Sequence, residues 1–90
     1  MDLIIETKQY KLGYDHLEMS YIHTFISRKI NRYACVGINY YLTKKEVKEL
    51  IEWLNSQSWS TNKQKEKLID QLILMEMVME GKERARFYFW

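Results

Sequence analysis

The chain alternates apolar and polar positions in its first half and spaces them by three and four in its second. Between residues 17 and 27 the odd positions read Leu17, Met19, Tyr21, His23 and Phe25, against Glu18, Ser20, Ile22, Thr24 and Ile26. Side chains of a strand point to its two faces in turn, so the segment predicts a strand with its odd face on the core. Residues 33–42 repeat the pattern: Ala34, Val36, Ile38, Tyr40 and Leu42 stand opposite Tyr33, Cys35, Gly37, Asn39 and Tyr41. Residues 3–12 predict an earlier strand whose parity switches between Leu3/Ile5 and Tyr10/Leu12, which a bulge or two shorter pieces would explain. Gly13-Tyr14-Asp15-His16 supplies turn chemistry after it, and the short connections make the three strands antiparallel neighbours.

Helical spacing then takes over. Thr43-Lys44-Lys45-Glu46 fits a capping box, with Leu42 and Val47 at the hydrophobic-staple positions. Val47, Leu50, Ile51 and Leu54 continue it as an apolar stripe, and Lys45/Glu49 and Lys48/Glu52 offer exposed i,i+4 pairs. The pattern breaks over residues 55–60. Thr61-Asn62-Lys63-Gln64 offers a second capping box, opening a helix to about Glu80 with Gly81 as its stop. Residues 85–90 alternate weakly and offer one further strand. The predicted fold class is α+β and two-layer: an antiparallel three-stranded sheet followed by two helices, βββαα, with a short C-terminal strand as the optional last element.

Composition narrows the class. Ninety residues, 47% of them apolar and 29% charged, suit a single compact domain spanning 1–90. One cysteine allows no internal disulfide, nothing at the N-terminus reads as a secretory signal, and the longest mostly apolar run, residues 72–79, is too short for a membrane span. A soluble cytoplasmic protein is the expectation. Lys, Ile, Asn and Tyr make 30 residues against 9 of Gly, Ala, Pro and Arg, a bias of AT-rich coding that suggests a low-GC bacterium or its phage.

Candidate chemistry is sparse. His16, His23 and Cys35 form no spaced ligand pair, so no metal site is expected; His23 reads as a core histidine and Cys35 as a small, at least half-buried residue. No nucleophile elbow, phosphate loop or carboxylate pair occurs, and Asp15-His16 with Ser20 or Ser27 has no discriminating spacing. No catalytic residue and no cofactor is expected. Net charge is only +2, yet residues 28–48 carry +5. Arg28, Lys29 and Arg32 lie about 30 Å of strand away from Lys44, Lys45 and Lys48, whereas Lys63, Lys65 and Lys67 return toward the arginines if the first helix runs back along the sheet.

The apolar surplus changes the picture most. Ile22, Ile26, Tyr33 and Tyr41 fall on outer strand faces; Trp53, Trp59, Met77 and the tail Phe87, Tyr88, Phe89 and Trp90 exceed what two layers bury. These residues are the expected partner-binding anchors of a non-enzymatic protein-interaction module, a homo-oligomer with a dimer as first choice. A phage or mobile-element inhibitor of a host defence system would have this size and composition. The alternative is a nucleic-acid or nucleotide-binding module, with the Arg28, Lys29, Arg32 end and Lys63, Lys65 and Lys67 on phosphates and tyrosines stacking on bases.

Overall fold

The computed structural model describes residues 1–59 and 62–90. The elements are β1 (Leu3–Glu6), β2 (Lys11–Tyr14), α1 (His16–Ile30), β3 (Asn39–Thr43), α2 (Lys44–Ser56), α3 (Asn62–Val78) and β4 (Arg84–Phe89). The class is α+β, but the sheet has four antiparallel strands in the order β2-β1-β4-β3, and the helices number three.

The predicted strand over 17–27 is a helix. Met19, Ile22, His23 and Ile26 are buried and Ile30 is half-buried, a spacing of three and four that forms one helical stripe. Alternation would have left Ile22 and Ile26 on the outside; winding the segment puts both in the core, 0% and 1% exposed. They are therefore not partner-binding residues. β-Branched and aromatic residues favour strands locally, and burial of this stripe outweighs that preference.

The first predicted strand resolves into a hairpin. Thr7 closes the turn: its amide donates to the Tyr10 carbonyl at 2.9 Å, and its Oγ1 accepts from the Tyr10 amide at 3.1 Å. Gly13 lies inside β2 opposite Ile4 rather than in a turn, and Asp15 precedes α1 as its N-cap residue. The predicted strand over 33–42 shrinks to Asn39–Thr43; ahead of it Gly37 takes a φ of 82° and donates its amide to Phe89 O at 2.8 Å.

β4 is the centre of the sheet, paired with β1 on one side and β3 on the other. Its alternate residues Ala85, Phe87 and Phe89 are completely buried beside Leu3, Ile5, Tyr40 and Leu42. Phe87 and Phe89 are thus core, not docking anchors. The helices cover this face: α1 through His23 against the Phe89 ring, α2 against β3 and β4, and α3 through Gln71, whose Oε1 accepts from the Tyr14 hydroxyl. No described element covers the opposite face, which carries Ile4, Glu6, Tyr41, Arg84, Arg86 and Tyr88.

α2 opens with the predicted capping box: Thr43 Oγ1 accepts from the Glu46 amide and the Glu46 carboxylate accepts from the Thr43 amide. Its carboxylates turn to other elements, Glu49 to Lys29 on α1, while Lys48 reaches Glu76 on α3. The second predicted capping box begins at Thr61, outside the described residues.

Candidate functional site

Three surfaces hold side chains that the core does not use. The first is a depression of about 500 Å³ where α1 ends, lined by His23, Thr24, Ser27, Arg28, Asn31, Arg32 and Tyr33. A helix must terminate its last carbonyls, and here Asn31 does so in the left-handed region at φ 58°. Its amide bonds to Arg28 O and that of Arg32 to Ser27 O, the Schellman pattern. The chain is then pinned at Ala34: its amide donates to Ser27 Oγ at 3.0 Å and its carbonyl accepts from His23 Nε2 at 2.8 Å. A carbonyl can only accept, so His23 carries its proton on Nε2. His23 is a buried core histidine, with its ring between Tyr33 at 4.6 Å and Phe89 at 5.0 Å.

The charges here are positive. None of the seven lining residues is acidic, and among the described residues no carboxylate forms an ion pair with Arg28 or Arg32. Lys29 differs: its Nζ lies 2.6 Å from Glu49 and 3.7 Å from Glu46. The hydrogen bond to Glu49 raises the Lys29 pKa above its ordinary value and lowers that of Glu49. Lys29 is tied to α2, not offered to a ligand.

Lys63, Lys65 and Lys67 do not join this end. Lys65 donates to the carbonyls of Asn55 and Gln57 behind α2. Lys67 borders a separate cleft with Asp2, Gly13, Asp15 and Trp90, and Lys63 points to solvent.

The second surface is the outer side of α3. Ile73, Leu74, Met77 and Val78 are all exposed, Met77 by 67%, and they form two i,i+4 pairs along one ridge. Leu68, Leu72, Met75 and Met79 occupy the buried side. The spacing that marks the helix also shows this excess, since its apolar residues extend beyond one stripe. The third surface is the uncovered sheet face, where Arg84 lies 5.1 Å over the Tyr41 ring and Arg86 5.9 Å over that of Tyr88. Arg86 also pairs with Glu6 at 3.1 Å.

Other anchors expected from sequence do structural work. Trp59 stacks on Tyr21 at 4.2 Å and donates its indole N–H to Leu54 O, which fastens the segment after α2 onto α1. Trp53 is half-buried against Phe25. Trp90 is exposed, although its backbone pairs in both directions with Asp2. Cys35 is exposed rather than half-buried, its thiol directed to Tyr33 O at 3.7 Å. Asp15 and Ser27 sit twelve positions apart on or beside one helix, about 18 Å along its axis, so they assemble no triad; the His16 side chain lies outside the described residues. Among the described residues no three His, Cys, Asp or Glu side chains gather as metal ligands, and no helix is long and apolar enough to cross a membrane. No known protein family, curated protein or solved structure matches this chain.

Proposed function

We propose that this protein is a non-catalytic protein-interaction module that docks through the outer ridge of α3. The observation that supports the reading is the contiguous exposure of Ile73, Leu74, Met77 and Val78. Scattered apolar residues are normal on a surface, but a continuous ridge of branched and thioether side chains on one helix is characteristic of a contact site. Methionine adds an adaptable, polarisable contact at its most exposed point. A stable interface buries roughly 800 Å² per partner, so these four side chains would serve as the apolar centre inside a polar rim.

The first partner is a second copy, α3 against antiparallel α3. A two-fold axis between Leu74 and Met77 sets these residues against each other and Ile73 of one copy against Val78 of the other, so the ridge is complementary to itself. Light scattering should give twice the chain mass for the native protein and the single-chain mass for Leu74→Glu/Met77→Glu, with the thermal midpoint of the isolated chain little changed. A native protein that stays monomeric at high concentration overturns self-association through this ridge.

A further inference from the structure

We propose that the depression at the C-terminal end of α1 is a nucleotide-binding site, with Arg28 and Arg32 on phosphate and the Tyr33 ring stacked on the base. It is independent of the α3 ridge and shares no residue with it.

The argument begins with charge. Two of the four arginines are engaged within the fold: Arg86 pairs with Glu6 and Asn39, and Arg84 lies over Tyr41. Arg28 and Arg32 have neither a carboxylate nor a ring among the described residues, and both border one concavity with no acidic residue in its wall. Guanidinium groups offer a planar fork of donors that matches phosphate oxygens, and two on one depression can share a single phosphate or a phosphodiester step.

A helix C-terminus normally repels anions, since its last carbonyls carry partial negative charge. Here the Schellman bonds occupy Ser27 O and Arg28 O, so the carbonyls nearest the depression already accept hydrogen bonds. The two full positive charges then decide the local sign. Neutral Thr24 and Asn31 add polar groups beside them.

The aromatic wall supplies the second half of the ligand. Tyr33 is 69% exposed, so its ring is open to a stacking base. It is also fixed: His23 packs against it, and the Ala34 hydrogen bonds to Ser27 and His23 immobilise the next residue. A ring held by its neighbours loses little freedom when a base stacks on it. Phosphate donors and a stacking ring in the same concavity select a nucleotide over a bare anion.

Fluorescence anisotropy with a labelled ten-nucleotide oligothymidylate, and calorimetry with ADP and with inorganic phosphate, test the site on the full chain. Two phosphate contacts on a single strand predict about 7-fold weaker oligonucleotide binding between about 50 and 200 mM salt. Arg28→Ala/Arg32→Ala should weaken binding at least about 10-fold and abolish that salt dependence. Tyr33→Ala should weaken it at least about 5-fold while Tyr33→Phe stays near the native value. Lys63→Ala removes a charge elsewhere and should change nothing. All these side chains are exposed, so thermal midpoints should verify that the variants remain folded. Comparable binding of ADP and the strand identifies a free nucleotide as sufficient; binding of the strand alone makes the site one step on a strand path. Absence of binding to both, inorganic phosphate binding as tightly as ADP, or affinity unchanged in the arginine or Tyr33→Ala variants overturns the proposal.

Discussion

Alanine substitution along residues 87–90 should give an alternating stability profile. Phe87 and Phe89 are 0% exposed in the central strand, while Tyr88 is half-buried on the uncovered face and Trp90 is 56% exposed beyond the strand end. Removing a wholly buried phenyl ring loses its transfer energy and leaves a cavity between Ile5 and Tyr40, together about 3–5 kcal/mol for Phe87→Ala. A domain of this length has roughly 5–13 kcal/mol in all, so Phe87→Leu, costing about 1.5 kcal/mol, keeps the experiment measurable if the alanine variant unfolds. Phe89→Ala also loses the edge contact with His23 and should match or exceed Phe87→Ala. Tyr88→Ala and Trp90→Ala should stay within about 1 kcal/mol, because most of each ring's environment is already solvent or a neighbouring arginine. Urea unfolding followed by far-ultraviolet circular dichroism reads all four without relying on Trp90 emission. Equal costs at the four positions, or four costs below about 1 kcal/mol, would refute the central placement of β4 and restore the tail as a docking segment.

Glu76 is buried in α3; among the described residues its Oε1 accepts no hydrogen bond, and the exposed Lys48 ammonium stands 3.5 Å away. Glu76→Met should therefore stabilise by about 1 kcal/mol, and a lower urea midpoint would contradict that reading. Thr43→Ala should cost about 1 kcal/mol by removing the α2 cap whereas Thr43→Ser restores it; a neutral alanine variant would mean that the capping bonds contribute nothing. Glu83 accepts from the amides of Lys8 and Glu80, which hold its pKa below the ordinary 4.5. A depressed folded pKa gives stability that is present above the unfolded value and lost as pH falls through the folded one. Thermal midpoints should thus decline less steeply below pH 4.5 in Glu83→Gln than in the native chain, and parallel curves would remove this linkage.

What could be read from sequence was local. The α2 cap needs only Thr43 and Glu46, three residues apart, and the staple only Leu42 and Val47, so no distant partner could change the outcome. The parity switch in residues 3–12 likewise marked a real break, now the β1–β2 hairpin. α1 looks like a strand in sequence because its apolar residues satisfy two periods together: Met19, Tyr21, His23 and Phe25 alternate, while Met19, Ile22, His23 and Ile26 step by three and four. Only the sheet to be covered separates the two, and that sheet depends on β4, whose pairing with β1 joins residues some 80 positions apart. Alternation at 85–90 gave the existence of this strand but not its central position. The arginine and tyrosine end was legible as a group, since Arg28, Arg32 and Tyr33 lie within six residues; its polar wall was not, because Thr24, Ser27 and Asn31 reach that side only when the segment is helical.

The same change of conformation reduces the apolar excess and creates the basic depression. As a strand, residues 17–27 would have added an apolar outer face to a sheet already short of cover. As a helix they cover it, and they take Ile22 and Ile26 into the core with Phe87 and Phe89. The expected docking surface contracts accordingly: Ile22, Ile26, Phe87 and Phe89 leave it, while the ridge of α3, Val36 and Ile38 ahead of β3, and Tyr33, Tyr41 and Trp90 stay exposed. Helical winding also brings Thr24, Ser27 and Arg28 to one side, and the Asn31 cap bends the chain so that Arg32 and Tyr33 close the other side of the same concavity. Had the segment been extended, Arg28 and Arg32 would have sat on a hairpin tip with no wall between them. Arg28 and Arg32 therefore owe their shared depression to the stop of α1, whose geometry rests on the bonds of Ala34 to His23 and Ser27.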